Sequence, residues 1–200
     1  RLYVLAGTTV FMVDVASRAT LGSRDLGGPV KSLDVSPAGS HLFLVRDQGG
    51  NAPELVVLAA GDLAVVNELA VSGTSGSTIL TGVSSATGQF LLAVAADGQL
   101  QVYGSDLQTG TPSAPTTIAV PADQETLALD QAGTSVFLAA SASNAIHVVD
   151  LATKAAGPDL TSLAAGTQPV RLHSVSDANR QYLVVGTAGG GTFVVAVDPQ

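Results

Sequence analysis

The stretch Ser36-Pro37-Ala38-Gly39-Ser40-His41-Leu42-Phe43-Leu44-Val45 decides how this sequence is read. A four-residue turn closing on Gly is followed at once by an unbroken apolar run. The turn recurs as Ser85-Ala86-Thr87-Gly88, Asp130-Gln131-Ala132-Gly133 and Ser176-Asp177-Ala178-Asn179, at spacings of 49, 45 and 46 residues. Each copy ends on Gly or Asn, the residues that best tolerate positive φ, as the tight turn of a hairpin requires. After each comes a matching run: Phe90-Leu91-Leu92-Ala93-Val94, Val136-Phe137-Leu138-Ala139-Ala140 and Tyr182-Leu183-Val184-Val185-Gly186. Runs this continuous fit strands covered on both faces.

Outward from that core, the next strand of each repeat spans 54–59, 100–103, 145–150 and 192–198, and 10–15 has the same character. Three of these end alike, in Val13-Asp14, Val149-Asp150 and Val197-Asp198. Asp14 and Asp150 lie 136 residues apart and Asp150 and Asp198 lie 48 apart, so the aspartates hold one repeat position. Turn-rich stretches at 16–20 and 152–156 lead into a less apolar fourth strand. Pro29 and Pro169 then open the following unit, where a residue without an N–H suits a strand start. The segment 61–70 comes nearest to a helical period, but Val65-Val66 and its place in the repeat favour a strand.

The chain therefore reads as all-β. Residues 1–28 supply strands b, c and d of one unit; 29–73, 74–121 and 122–166 supply full units; 167–200 supply a, b and c. Four-stranded repeats of roughly 40–50 residues are the signature of propeller blades. The expected fold is a β-propeller of four-stranded antiparallel blades, about four to five in this chain, with residues 1–200 forming one domain or part of a larger ring. A β-sandwich is the rival, but it does not require the turn, the Val-Asp ending and the Pro to recur in register.

The residues Val10-Phe11-Met12-Val13-Asp14-Val15-Ala16-Ser17, Gly28-Pro29-Val30, Ser36-Pro37-Ala38-Gly39 and Leu42-Phe43-Leu44-Val45 resemble the YVTN-type repeat of seven-bladed bacterial propellers. Residues 145–185 repeat it more loosely, through Val149-Asp150-Leu151-Ala152-Thr153, Gln168-Pro169-Val170 and Tyr182-Leu183-Val184-Val185. The middle repeats depart from it. Leu58 and Tyr103 or Gly104 stand where Asp is expected, and Ile79 and Thr126 lie where no Pro opens the unit. The resemblance implies architecture more than activity, since such relatives include surface-layer and binding proteins, lactonases and cofactor-bearing oxidoreductases. Seven blades need about 300 residues at this repeat length. The expectation is a part of a larger ring or a closure with four or five blades. Ends that supply b–d and a–c overlap instead of complementing each other, which favours a continuing chain or a partner that completes the ring.

Composition narrows the function classes. A hydrophobic content of 46% suits a buried core, yet Gly, Ser, Thr or Asp breaks every apolar run well short of the roughly 18 residues of a membrane-spanning helix. A net charge of −8, with Lys31 and Lys154 as the two lysines, argues against nucleic-acid partners and membrane insertion. Without Cys there are no disulfides or thiolate metal sites. The first residues, Arg1-Leu2-Tyr3-Val4-Leu5, read as a strand, so a processed or excised chain is expected. Low Lys with abundant Ala, Gly, Ser and Thr suits a secreted, periplasmic or cell-surface protein.

Each candidate for chemistry has a plainer reading. Asp14, Asp150 and Asp198 fit side chains that cap turn N–H groups better than a carboxylate ring. His41, His147 and His173 fall at three different repeat positions, which does not suggest a metal site. Asp177-Ala178-Asn179 lacks the acidic loop of a calcium site. The glycine-rich 186–191 lacks the Lys-Ser/Thr and helix of a phosphate cradle, and 73–77 only superficially approaches a nucleophile elbow. Tyr3, Tyr103 and Tyr182 among 4% aromatics disfavour a sugar- or peptide-binding platform. No catalytic, cofactor-binding or metal residue is therefore assigned, and no cofactor is expected. The polar loops 48–51 and 109–113 are the expected contact points. The expected function is a non-enzymatic scaffold or protein-binding module in a larger assembly. The alternatives are part of a lactonase-like or cofactor-dependent enzyme, and a subunit that self-assembles through exposed strand edges.

Overall fold

The computed structural model describes residues 1–36, 38–49, 52–73, 80–86, 89–104, 106, 114–122, 124–130, 132–139, 142, 144–160, 168–176, 181–187 and 189–197. Five antiparallel sheets follow one another along the chain, with no α-helix among the described residues. The first holds β1 (Leu2–Ala6), β2 (Thr9–Val13) and β3 (Thr20–Asp25). The second holds β4 (Val30–Val35), β5 (His41–Arg46), β6 (Glu54–Ala59) and β7 (Val65–Ala70). The third holds β8 (Leu80–Ala86), β9 (Gln89–Ala96), β10 (Gln99–Tyr103) and β11 (Thr116–Ala119). The fourth holds β12 (Thr126–Leu129), β13 (Ser135–Ala139), β14 (Ile146–Asp150) and β15 (Ala155–Ala156). The fifth holds β16 (Pro169–Ser176), β17 (Gln181–Thr187) and β18 (Thr192–Val197). Strand order in every sheet is sequential, a plain meander.

The recurring turn works as its residue types require. In the second sheet Gly39 sits at φ 68° and donates its N–H to the Ser36 carbonyl at 2.7 Å, while the Ser36 hydroxyl accepts from the N–H of Ser40 and of His41, each at 3.0 Å. In the fourth sheet Gly133 sits at φ 70°, its N–H lies 3.1 Å from the Asp130 carbonyl, and the Asp130 carboxylate accepts from the Thr134 N–H at 2.6 Å. A side-chain oxygen at the first turn position thus substitutes for missing ladder partners, and a residue at positive φ closes the loop. Thr87, Gly88, Asp177, Ala178 and Asn179, from the other two copies, lie outside the described residues.

The unbroken apolar runs are covered on both faces, and the alternation of strand side chains decides which neighbour each one meets. From β5 and β6, Leu42, Leu44, Val56 and Leu58 pack on Val10, Met12 and Leu26 of the first sheet. Phe43, Val45, Leu55 and Val57 pack on Leu92, Val94, Ala96 and Tyr103 of the third. Ala93, Ala95, Leu100 and Ile118 meet Leu127, Leu129, Val136 and Leu138 across the next seam. Phe137, Ala139 and Ile146 meet Leu172, Leu183 and Val185 across the last. Each fully buried Leu or Phe removes apolar area worth about 1.5–3 kcal/mol, so these four seams are where the stability lies.

Two details differ from expectation. The residue equivalent to Asp14 and Asp150 in the second sheet is Ala59, one position beyond Leu58. The Asp14 N–H donates to the Ala19 carbonyl at 2.9 Å and the Ala59 N–H to the Ala64 carbonyl at 2.8 Å, and Arg18, Leu63 and Lys154 all stand four residues on at positive φ. The fourth strand of the fourth sheet is reduced to two residues. Pro158 brings no N–H to the ladder, and pairing resumes as a bridge between Ile146 and Leu160.

Candidate functional site

Two of the acidic side chains singled out above, Asp14 and Asp150, are engaged in turns. Asp14 Oδ1 accepts from the Ser17 N–H and hydroxyl, both at 2.7 Å, and Asp150 Oδ1 accepts from the Ala152 and Thr153 N–H groups, both at 2.8 Å. The Ser17 N–H holds the Asp14 carboxyl below the ordinary carboxylate value, and the Thr153 N–H does the same for Asp150. The two stand in different sheets, and Asp198 lies outside the described residues. The histidines also fall apart. His41 opens β5 with Nδ1 2.9 Å from the Ser40 hydroxyl, His147 on β14 pairs with Asp159 at 2.9 Å, and His173 is exposed on β16. Among the described residues no group of three or more His, Asp or Glu side chains could hold a metal ion.

The glycine-rich 186–191 joins β17 to β18 through a turn in which Thr187 Oγ1 accepts from the Gly191 N–H at 3.0 Å. Tyr3 donates to the Ala60 carbonyl at 2.7 Å, and Tyr103 is buried, so neither offers an open platform. The side chain of Tyr182, residues 74–77 and residues 109–113 lie outside the described residues.

Two clefts open at opposite ends of the sheets. One of about 360 Å³ lies between the first and second sheets and is lined by Leu26, Gly28, Pro29, Arg46, Asp47 and Gln48, so it includes part of the expected 48–51 loop. Its charges are already paired. Arg46 donates to the Leu26 carbonyl at 2.6 Å and to Glu68 at 3.2 Å and makes a short contact with Glu54, while Lys31 stands 3.9 Å from Asp47. Arg46 thus ties the end of one sheet to the next. A second cleft of about 400 Å³, between the third and fourth sheets, is lined by Leu91, Val102, Gly104, Thr116, Thr134 and Leu151. Its walls carry hydroxyls and apolar side chains, a surface suited to contact.

Sequence reasoning missed a polar contact inside a seam. Gln101, 1% exposed on β10, donates to the Ser72 carbonyl at 2.9 Å and accepts from the Ser72 N–H at 3.2 Å and from the Tyr103 hydroxyl at 3.1 Å. One amide side chain therefore fixes the third sheet to the chain leaving the second. The signal was a Gln within the apolar run Leu100-Gln101-Val102-Tyr103, although its partner lies 29 residues upstream.

Exposed apolar surface collects at the two ends of the sheet series. Leu2, Val4, Val15 and Leu21 belong to the first sheet and its turn, and Val170 and Val194 to the fifth; in the three sheets between, Val65 is the one large hydrophobic exposed among the described residues. Among the described residues the four hydrophobic clusters join each sheet to the next, and none joins the fifth to the first.

No protein-family model matches the sequence. No curated protein matches it either. Solved structures do. Cps50 (Swd1) from Myceliophteria thermophila, described as a β-propeller domain, is 13% identical with a TM-score of 0.69, over 96% of this chain and 61% of that one. Hsv2 from Kluyvelomyces marxianus is 14% identical with a TM-score of 0.64, over 97% of this chain and 55% of that one. The dihydro-heme d1 dehydrogenase NirN is 17% identical with a TM-score of 0.70, over 98% of this chain and 42% of that one. This chain thus spans about two fifths to three fifths of the chains it matches. At these identities the likeness concerns the fold, and with five successive meander sheets packed face to face it makes this chain a β-propeller of four to five blades.

Proposed function

We propose that this chain is a non-enzymatic, protein-binding propeller scaffold that acts within a larger assembly. One observation carries the reading: of the seven large hydrophobic side chains exposed among the described residues, all but Val65 lie on the first and fifth sheets. Apolar side chains gathered on particular faces, while the faces between are covered among the described residues apart from Val65, mark surfaces on which further protein packs. The engagement of Asp14, Asp150 and Arg46 in turns and seams supports the same reading, because it leaves them as framework. The resemblance to YVTN-type repeats and the low Lys content favour an exported or cell-surface setting.

The test is affinity capture from an extract of the source cells, with the tagged chain and its Val4→Glu and Val194→Glu variants as baits. Proteins retained by the unaltered chain and lost with one of the variants are expected. Retention of nothing, or of the same proteins by all three baits, sinks the reading. Cell fractionation tests the location separately, and a purely cytosolic chain refutes export.

A further inference from the structure

The seam between the first and second sheets and the seam between the third and fourth follow one pattern, residue for residue. Tyr3 stands opposite Met12 in the first sheet where Ala93 stands opposite Val102 in the third, and the last pairs of the two hairpins, Ala6 with Thr9 and Ala96 with Gln99, follow at the same distance. The turn across each seam is also the same. The Ala60 N–H donates to the Ser40 carbonyl at 2.9 Å, and the Leu151 N–H to the Thr134 carbonyl at 2.8 Å. Leu63 and Lys154 then take the same place, at φ 61° and 57°. Tyr3 thus corresponds to Ala93, Arg1 to Leu91, Ala60 to Leu151 and Leu63 to Lys154.

What fills the two seams differs. In the first, the Tyr3 hydroxyl donates to the Ala60 carbonyl at 2.7 Å, Arg1 Nη1 lies 3.3 Å from the carbonyls of Ala60 and Gly61, and Leu63, 2% exposed, packs into the same cluster. In the other, Ala93 brings no ring, Leu91 has no donor and Lys154 is exposed. Leu151 returns one apolar side chain to that space, and a cleft of about 400 Å³ remains beside it, walled by Leu91, Val102, Thr116, Thr134 and Leu151. Among the described residues no side chain donates to the carbonyls of Leu151 and Ala152, the counterparts of the two that Tyr3 and Arg1 reach. We infer that this cleft binds a phenol ring, whose hydroxyl donates to the Leu151 carbonyl as Tyr3 donates to Ala60. The apolar walls suit the ring, and the carbonyl supplies the acceptor that fixes its orientation. The site lies between two sheets whose other faces are packed, and it does not rest on the scaffold reading.

The probe is p-cresol, the tyrosine side chain as a free molecule. A ligand of so few atoms belongs at a dissociation constant of about 0.1–10 mM. Titrated into the isotope-labelled chain and followed by amide NMR, it should shift Val102, Thr116, Leu151 and Ala152 before other residues. Anisole, its isomer without a donor, should bind about two- to tenfold more weakly, the worth of one hydrogen bond. Ala93→Tyr combined with Leu151→Ala rebuilds the Tyr3–Ala60 arrangement in this seam. That variant should fill the cleft with its own ring and lose p-cresol affinity by about tenfold or more, with a denaturation curve to check that it folds. N-acetyltyrosine amide separates the two sources of the ring. Its binding at the same amides assigns the cleft to a tyrosine presented by a partner, and its exclusion while p-cresol binds assigns it to a free phenol. Shifts centred elsewhere, no shifts up to about 10 mM, or anisole binding as well as p-cresol would each overturn the inference with the unaltered chain alone. So would a folded double variant that binds p-cresol undiminished. Capture from extract reports on Val4 and Val194, so the scaffold reading stands or falls separately.

Discussion

Replacing Gln101 by Met keeps the side-chain volume and removes every hydrogen bond that crosses from it to Ser72 and Tyr103. Ser72 is exposed, so water can replace the lost partners of its backbone, at a net cost of about 0.5–1 kcal/mol for each of the two bonds. Tyr103 is 4% exposed, and its hydroxyl would be left buried without an acceptor, a further ~1–3 kcal/mol. The expected loss is about 2–5 kcal/mol. Tyr103→Phe alone forfeits one bond and should cost about 0.5–1.5 kcal/mol. In the double variant there is no stranded hydroxyl, so it should be more stable than the two single losses predict, by ~1 kcal/mol or more. Denaturant titration of the four proteins, followed by circular dichroism, measures this cycle. A Gln101→Met loss below about 0.5 kcal/mol, or an additive cycle, would refute the idea that this amide pins the seam.

Alkaline stability should report the same site. Burial pushes the Tyr103 phenol from 10.0 up to about 12, so the folded chain keeps a proton that the unfolded chain loses. Stability is full below about pH 10 and drains as pH rises towards 12. Tyr103→Phe should flatten that decline, and phenolate absorbance should show one tyrosine ionising near 12 in the folded protein. At the acid end, the Asp150 carboxyl is held below 3.8, so its contribution is present above that value and lost as pH falls through the folded value. Asp150→Ala should therefore destabilise the protein at neutral pH, with the difference shrinking below about pH 4 in acid-unfolding curves. Phe137, 1% exposed between the fourth and fifth sheets, should cost about 3–5 kcal/mol when cut to Ala. Leu21→Ser on β3, where the side chain is 49% exposed, should change stability by no more than about 0.5 kcal/mol, and equal losses for the two would contradict the seam account.

The fold was legible because its determinants are local. Apolar runs such as Leu42-Phe43-Leu44-Val45 announce strands buried on both faces, and the Ser36 and Asp130 turns mark where those strands begin. The aspartate caps could also be read, since their N–H partners lie within three residues. The error of one position at Ala59 arose because Leu55-Val56-Val57-Leu58-Ala59 ends without a polar marker. The hydrogen bond to Ala64 and the positive φ of Leu63 identify the turn. The Arg46 tie and the Gln101 contact join side chains to backbone 20 and 29 residues away in another sheet, distances that no periodicity reports. The exposure of Val4 and Val194 was hidden for a similar reason. Hydropathy shows that Val4 and Val194 are apolar, but exposure depends on which sheet follows.

Because each sheet packs on its neighbours in sequence, cooperativity here is that of a linear array, in which the stability of a unit is its own plus that of the seams it shares. Among the described residues the second, third and fourth sheets share two seams each, and the first and fifth share one. Slow exchange should therefore centre on the amides of β5, β6, β9 and β13, with protection falling towards both ends of the chain. Folding can begin at any seam and spread in either direction, and joining another such unit to an end sheet would raise the stability of the sheets already there.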